Sequence, residues 1–154
     1  MSPVKPVPEG YHTVTPHLVI KGAADALTFY AKALGAEEKY RMPGPDGKIV
    51  HAEIGIGDST IMIGEEAPQM GAVSPKQLGG SPVTIMLYVN DVDAWFTRAT
   101  KAGCETKMPP TDMFWGDRYC KVTDPFGHNW AIATHKEDVS PQEMEKRMKK
   151  EFGG

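Results

Sequence analysis

A histidine and a carboxylate lie two residues apart in a run that alternates between polar and apolar residues, Ile49 to Ile56. Successive side chains of a β-strand point to opposite faces. The run therefore predicts a strand with His51 and Glu53 on one face and their β-carbons ~7 Å apart. An imidazole oriented by a carboxylate can act as a general base, and we predict these two residues as catalytic. Two alternatives remain open. The histidine could hydrogen-bond a ligand or pack in the core, and Glu53 could pair with Lys121 or Arg118 to fix the pocket floor.

The elements that would position these residues occur twice. Residues 25–39 align with residues 93–107, and each copy follows a short apolar run that is typical of a strand. A repeat of this length indicates two copies of one structural unit. Apolar periodicity and turn residues predict the order βαβββ in each copy. Two like sheets whose concave faces meet would enclose a pocket, where we expect the function to reside.

The predicted fold class is α+β: two tandem βαβββ modules that form a concave, partly closed sheet with helices outside, plus a C-terminal helix. The first module should contain the elements Thr13–Ile20, Ala23–Leu34, Glu37–Met42, Ile49–Ile56 and Ser59–Ile63. The second should contain Val83–Val89, Val92–Ala102, Glu105–Met108, Phe114–Thr123 and Asn129–Ala133. The predicted boundaries are an extended arm at 1–12, modules at 13–64 and 83–135, a linker at 65–82, and a helical tail at 136–154. Pro109-Pro110 should break the chain, and Ser140 should cap the tail helix.

Alternation also predicts which strand residues pack beneath the helices: Leu18, Ile20, Ile61, Ile63, Val83, Ile85, Leu87, Val89, Trp130 and Ile132. The opposite face is too polar for a plain core, because buried polar groups are costly unless they are paired or touch water. A ligand cavity accounts for this mixture. The ligand-binding residues predicted there are His17, Met62, Met86, Tyr88, Trp115, Arg118, Tyr119 and Lys121. For Trp115 a core position, and for Arg118 a surface ion pair with Asp112 or Asp117, are open alternatives.

Composition excludes several classes of function. The net charge of −3 and the pI near 5.9 provide no basic surface for nucleic acid. The sequence has no apolar run of the ~20 residues that span a bilayer and no signal-peptide core near its N-terminus, so we expect no membrane partner and a cytoplasmic location. Two cysteines, Cys104 and Cys120, do not form a disulfide framework, and Cys120 should be a small buried residue.

Several short motifs together resemble the vicinal oxygen chelate superfamily, also called glyoxalase/bleomycin-resistance/dioxygenase proteins. The resemblance spans about residues 12–135. Its motifs are Val19-Ile20-Lys21, Ala26 to Tyr30, Leu34-Gly35, Val89 to Ala94, Ala102-Gly103 and Asp124 to His128. Residues 51–58 and 114–119 are similar to the PhnB-like branch of this superfamily, whose members often carry glyoxalase-like annotations without a proven reaction.

The resemblance implies a divalent metal whose ligands come from the first and last strand of each module. In this sequence those positions fall on Thr15, Met62, Thr84 and Ala131. These side chains are unlike the imidazole, carboxylate or thiolate donors that zinc, nickel and iron prefer, so we predict no cofactor. The alternative is a zinc, nickel, manganese or iron ion held by relocated ligands, namely His17, His51 and Glu53.

The favoured function is a glyoxalase/bleomycin-resistance-like protein that binds a small molecule in its pocket without the usual metal. The pocket's polarity suggests a neutral or anionic molecule with an apolar part. One alternative is a metal-dependent lyase, isomerase or dioxygenase that uses the relocated ligands. The other is a non-enzymatic, dimeric regulatory or scaffold protein. We predict a homodimer, because strand edges at both module ends and the linker leave room for pairing between chains.

Overall fold

The computed structural model describes residues 3–153. The first module comprises β1 (His17–Ile20), α1 (Ala23–Leu34), β2 (Glu37–Pro43), β3 (Ile49–Ile56) and β4 (Ser59–Glu65). A 3-10 turn (Pro68–Met70) and a short helix α2 (Pro75–Leu78) follow. The second module comprises β5 (Thr84–Tyr88), α3 (Val92–Ala102), β6 (Glu105–Asp112), β7 (Asp117–Thr123) and β8 (Asn129–His135), and the tail forms α4 (Pro141–Phe152).

Each module forms a four-stranded sheet of its own. The strand order is β1-β4-β3-β2 in the first sheet and β5-β8-β7-β6 in the second. In both, the first strand pairs in parallel with the last, and the other pairs are antiparallel. The chain divides into two compact units between Ser81 and Pro82. The predicted α+β fold of tandem βαβββ modules with a C-terminal helix is therefore confirmed.

One face of each sheet packs under its helix, as the alternation predicted for most positions. Leu18, Ile20, Ile61, Ile63, Trp130 and Ile132 are all buried. Leu27 and Leu34 of α1 are buried at helical spacing, and Gly35 ends the helix at a φ of 63° that suits glycine. The prediction for Val83 was wrong, because β5 begins one residue later and Val83 is 62% exposed.

The backbone N–H groups at the start of the helix are hydrogen-bonded by a different side chain in each module. At α1, the backbone N–H groups of Gly22 and Ala23 donate to the carboxylate of Glu65, at 2.7 to 3.1 Å. At α3, the N–H of Val92 donates to the hydroxyl of Thr134 at 2.9 Å. Both acceptors belong to the last strand of their module, so each links a helix N-terminus to its sheet.

Three predicted boundaries differ from the structure by three residues or more. The first strand begins at His17, because Pro16 has no N–H to donate to the ladder. Strand β6 continues through Pro109-Pro110 to Asp112, contrary to the predicted break. It pairs only with β7, and its register shifts around the prolines, so this edge strand tolerates both residues. Phe114 to Gly116 form a turn, and β7 starts at Asp117.

The tail helix packs against its own module through few contacts. Ser140 caps it, as predicted, by accepting a hydrogen bond from the N–H of Glu143 at 3.1 Å. Arg147 donates to the carbonyl oxygen of Phe114, and the rings of Phe114 and Phe152 meet edge to face with centroids 5.9 Å apart. Within residues 3–153, no helix is long and apolar enough to cross a membrane.

Candidate functional site

The open face of the first sheet brings together four residues that the sequence singled out. Parallel pairing of β1 with β4 places His17 opposite Met62, and antiparallel pairing of β3 with β4 places Glu53 opposite the same methionine. His51 lies two residues before Glu53 on the same face of β3, and its ring centroid lies 5.9 Å from that of His17. Strand alternation was therefore sufficient to place these residues on one surface.

The segment before β1 crosses this face, which the sequence analysis did not predict. The hydroxyl of Tyr11 donates to Oε1 of Glu53. Thr60 donates to the carbonyl oxygen of Gly10 at 2.7 Å, and His12 Nε2 lies 3.1 Å from the carbonyl oxygen of Asp58. These contacts join residues more than 40 positions apart, and no local sequence pattern reports such a pairing.

A cleft of about 470 Å³ lies between this N-terminal segment and the sheet. That volume is in the range of small-molecule sites. Its described lining residues are Pro6, Val7, Pro8, Tyr11, His12, Thr13, Thr15, Glu53 and Met62. The lining thus combines an apolar wall with a carboxylate, two threonine hydroxyls and an imidazole. This is the mixture of surfaces that binds and orients a small organic molecule.

Two titratable groups at this face remain uncharged at neutral pH. Burial, together with the nearby His51, lowers the pKa of His17. Burial, followed by the hydrogen bond to Glu53 and the negative charge of that carboxylate, raises the pKa of Tyr11 to about 12. His51 Nε2 lies 3.5 Å from Glu53 Oε1, at the long limit for a hydrogen bond. The predicted general-base pair is therefore adjacent but loosely coupled.

The other predicted ligand-binding residues lie in the second module. Pairing of β5, β7 and β8 places Met86 and Lys121 opposite Ala131, and Tyr88 and Tyr119 opposite Ala133. Four of the predicted residues thus share one face of the second sheet, as alternation indicated. Trp115 packs edge to face on Tyr119 with ring centroids 5.7 Å apart. Their binding role stays a prediction.

Arg118 lies one residue out of step with this face and is already held by carboxylates. Its guanidinium donates to both oxygens of Asp93 in α3, at 2.8 and 3.0 Å, and to Asp112 in β6 at 3.2 Å. Asp112 is one of the two ion-pair partners that the sequence offered as an alternative. The ligand-binding role predicted for Arg118 stays untested, and any ligand would compete with this bidentate pair.

A buried carboxylate in the second module was missed by the sequence analysis as a functional candidate. Asp117 is 3% exposed. Its Oδ2 accepts hydrogen bonds from Tyr88 Oη at 3.0 Å and Trp115 Nε1 at 3.1 Å, and its Oδ1 lies 2.7 Å from His135 Nδ1. The other ring nitrogen of His135 lies 2.8 Å from Asp138. Asp117 follows a glycine, and this sequence signal indicated only a turn.

The donor chemistry does not fit the metal that the family resemblance implies. In the first module the ligand positions hold Thr15, whose hydroxyl donates to the carbonyl oxygen of His12, and Met62, a thioether. In the second they hold Thr84 and Ala131. Zinc, nickel and iron(II) sites use imidazole, carboxylate or thiolate donors instead. Within residues 3–153, no group of three or more histidine, cysteine, aspartate or glutamate residues is arranged to hold a metal ion.

Comparison with known proteins identifies the class of protein that this fold and this face define. The chain belongs to the glyoxalase/bleomycin resistance protein/dioxygenase superfamily, whose family model matches residues 11–132. An uncharacterized protein of Mycobacterium bovis, Mb0911c, is 44% identical over 144 residues, which cover 92% of this chain and 95% of that protein.

Solved structures agree with this assignment. TioX from Micromonospora sp. ML1 is 26% identical, with a TM-score of 0.66 over 80% of this chain and 98% of TioX. TnmS3 from Streptomyces sp. CB03234, described as an antibiotic binding protein, is 20% identical, with a TM-score of 0.60 over 81% of this chain and 96% of TnmS3. At 20% identity, the similarity to TnmS3 establishes a shared fold.

Proposed function

We propose that this protein binds a small organic molecule on the open face of its first sheet and does so without the metal site usual in the superfamily. The observation that carries the proposal is the cleft beside Glu53 and Met62, closed on one side by the N-terminal segment. The apolar wall would desolvate the ligand, and the polar groups on the sheet would orient it. Such a site needs no catalytic group.

The composition of the ligand positions supports this reading. Thr15 and Met62 both line the cleft, so the places where the resemblance implies metal donors contribute a hydroxyl and a thioether to a binding surface. The antibiotic-binding neighbour shares only the fold, and it guides the choice of compounds to screen. The PhnB-like branch, a cytoplasmic location and a homodimer remain parts of the proposal, the last to be tested by light scattering of the purified protein.

The test is a ligand screen with a variant that fills the cleft. Chelator-treated protein would be screened by thermal shift against metabolites and antibiotics, and hits would be confirmed by calorimetry. Replacing Met62 with tryptophan should abolish binding of the hits, because the larger ring occupies the cleft. Met70→Trp is the matched control, since Met70 is 82% exposed and does not line the cleft. Hits that bind the Met62→Trp variant unchanged would show that this cleft is not the site.

A catalytic role is the second candidate, favoured by the clustering of His17, His51 and Glu53 on one face. His51 would remove a proton from a bound substrate, with Glu53 orienting its ring. The relocated-ligand version adds a divalent metal to the same three residues, which are not arranged to hold one in the described structure. Calorimetric titration with nickel, zinc, manganese and iron(II) tests that version directly. Stoichiometric binding that disappears in the His17→Ala and His51→Ala variants would establish it, and absence of binding would remove it.

A further inference from the structure

Glu53 is a partly buried carboxylate with one oxygen left unengaged. Its side chain is 24% exposed. Tyr11 and His51 both contact Oε1, and Oε2 accepts no hydrogen bond from any described residue of its own module, 3–81. A carboxylate oxygen in a partly desolvated cleft is stabilised by a hydrogen-bond donor, and it is stabilised most by a cationic donor.

Several carboxylates of the chain pair with an arginine of their own module, and Glu53 does not. Asp93 pairs with Arg118, and Glu137 pairs with Arg147. Within the described part of the first module, residues 3–81, no lysine or arginine forms an ion pair with Glu53. The nine described residues that line the cleft also include no lysine or arginine. The carboxylate at the base of the cleft is therefore met by a phenol and by an imidazole 3.5 Å away.

We propose that the cleft selects molecules in which a protonated amine or amidine adjoins an apolar body, with Glu53 as the residue that pairs with the cationic nitrogen. Pro6, Val7, Pro8 and Met62 supply the surface for the apolar body. The inference rests on the proposed binding function and adds a ligand class to it. It differs from the neutral or anionic ligand expected from the sequence, because Glu53 is the one carboxylate among the lining residues and no lysine or arginine accompanies it.

Tyr11 gives this site a built-in competitor. Its hydroxyl reaches Glu53 from the N-terminal segment and remains protonated at neutral pH, so it donates to the carboxylate as a ligand would. A cationic nitrogen would share Glu53 with this phenol or displace it. Removing the hydroxyl should therefore strengthen binding of a cation, whereas removing the charge of Glu53 should weaken it. Two substitutions with opposite expected signs make the assignment specific.

The experiment uses three probes with the same indole body and different charge: tryptamine, tryptophol and indole-3-propionate. Each would be titrated into uniformly labelled protein, with the amide signals of Tyr11, Glu53 and Met62 followed by NMR. Tryptamine should bind roughly tenfold tighter than tryptophol, as expected for a charge-assisted hydrogen bond, and indole-3-propionate should bind weakest. Glu53→Gln should remove the preference, and Tyr11→Phe should increase tryptamine affinity.

Several outcomes would overturn the inference. Equal affinity for the three probes, or a preference retained in Glu53→Gln, would show that Glu53 does not select charge, while the cleft would still stand as a binding site. Binding of none of the probes would also reject the amine class, and the ligand screen would then decide the proposed function separately. If Glu53→Gln fails to fold, the wild-type protein suffices. Its tryptamine affinity must fall several-fold between low salt and about 0.5 M salt, and an unchanged affinity refutes the ion pair.

Discussion

Replacing Asp117 with alanine should destabilise the second module more than any exposed substitution near it. The carboxylate is 3% exposed and joins β5, β7 and β8 through Tyr88 and His135, with Trp115 as a third donor. Its removal would leave three donors without their acceptor. The loss of stability depends on how many of these donors water can reach, since a donor that becomes hydrated replaces most of the lost hydrogen bond.

The structure supports a figure of about 3 kcal/mol. A hydrogen bond to a charged acceptor contributes about 1.5–3 kcal/mol when desolvated. Tyr88 is 65% exposed, and His135 is half exposed, so water can replace much of what their bonds contribute. The figure of about 3 kcal/mol counts the hydrogen bond from Trp115 at its full contribution and those from Tyr88 and His135 at a fraction of theirs. The matched control is Asp112→Ala, which removes a 78% exposed carboxylate and should cost under about 1 kcal/mol.

Urea unfolding followed by circular dichroism would measure both variants. A loss below about 1 kcal/mol for Asp117→Ala, equal to that of the control, would refute the reasoning, because the hydrogen bonds to Asp117 would then contribute nothing measurable to stability. The variant Asp117→Asn keeps the shape and removes the charge. It should lower the pKa of both Tyr88 and His135, since hydrogen bonding to Asp117 contributes to raising each of them.

The same cluster predicts a pH dependence with a defined sign. The hydrogen bonds that the His135 ring donates to Asp138 and Asp117 raise the pKa of His135. A raised pKa means that the folded protein binds this proton more tightly than the unfolded chain does. The resulting stabilisation is present in full below the unfolded pKa of about 6.5 and is lost as the pH rises through the folded pKa. The stability difference between wild type and His135→Gln should therefore be larger at pH 5.5 than at pH 9. A difference that grows with pH would contradict this.

Three further predictions concern other positions. Gly116→Ala should lower the free energy of unfolding by more than about 2 kcal/mol, because the φ of Gly116 is 105° and a β-carbon would lie 2.4 Å from the carbonyl oxygen of Glu137. In the same denaturation assay Gly79→Ala should cost about 1 kcal/mol, because a β-carbon there meets open space. Burial raises the pKa of Cys104 to about 12 and that of Cys120 to about 11, so Ellman's reagent at pH 8 should label both only after unfolding. The His17 pKa, lowered chiefly by burial, should rise only part of the way to its ordinary value when its histidine neighbour in β3 is replaced by glutamine, as NMR titration would report.

Much of the fold was predictable because it depends on local periodicity. The alternation in Ile49–Ile56 fixed which side chains of β3 share a face, and the helix Val92–Ala102 was predicted to its ends. The prediction failed where an edge strand relaxed the usual rules. Pro109-Pro110 is a typical end signal for a strand. In an edge strand with a shifted register, however, no neighbouring strand needs the N–H groups that the two prolines lack.

The candidate site was predictable in part for the same reason. His17, His51, Glu53 and Met62 were placed on one face by strand period alone. The contact of Tyr11 with Glu53 was not, because the two residues are separated by the whole of β1, α1 and β2. Likewise, Asp117 acquires its partners from β5, the β6–β7 turn and β8, and only the sheet register brings these together.

The state of the two key carboxylates argues for the first module as the binding unit. Asp117 has hydrogen bonds on both oxygens, from Tyr88 and Trp115 on Oδ2 and from His135 on Oδ1, so it stabilises its own module. Glu53 has both of its contacts on one oxygen, borders a cleft and forms no ion pair with a lysine or arginine among the described residues of its own module. A buried carboxylate whose two oxygens both accept hydrogen bonds has less acceptor capacity for a ligand than a carboxylate with one oxygen that accepts none from its own module. The two modules thus share a scaffold while one uses its acid for stability and the other keeps an acceptor available for binding.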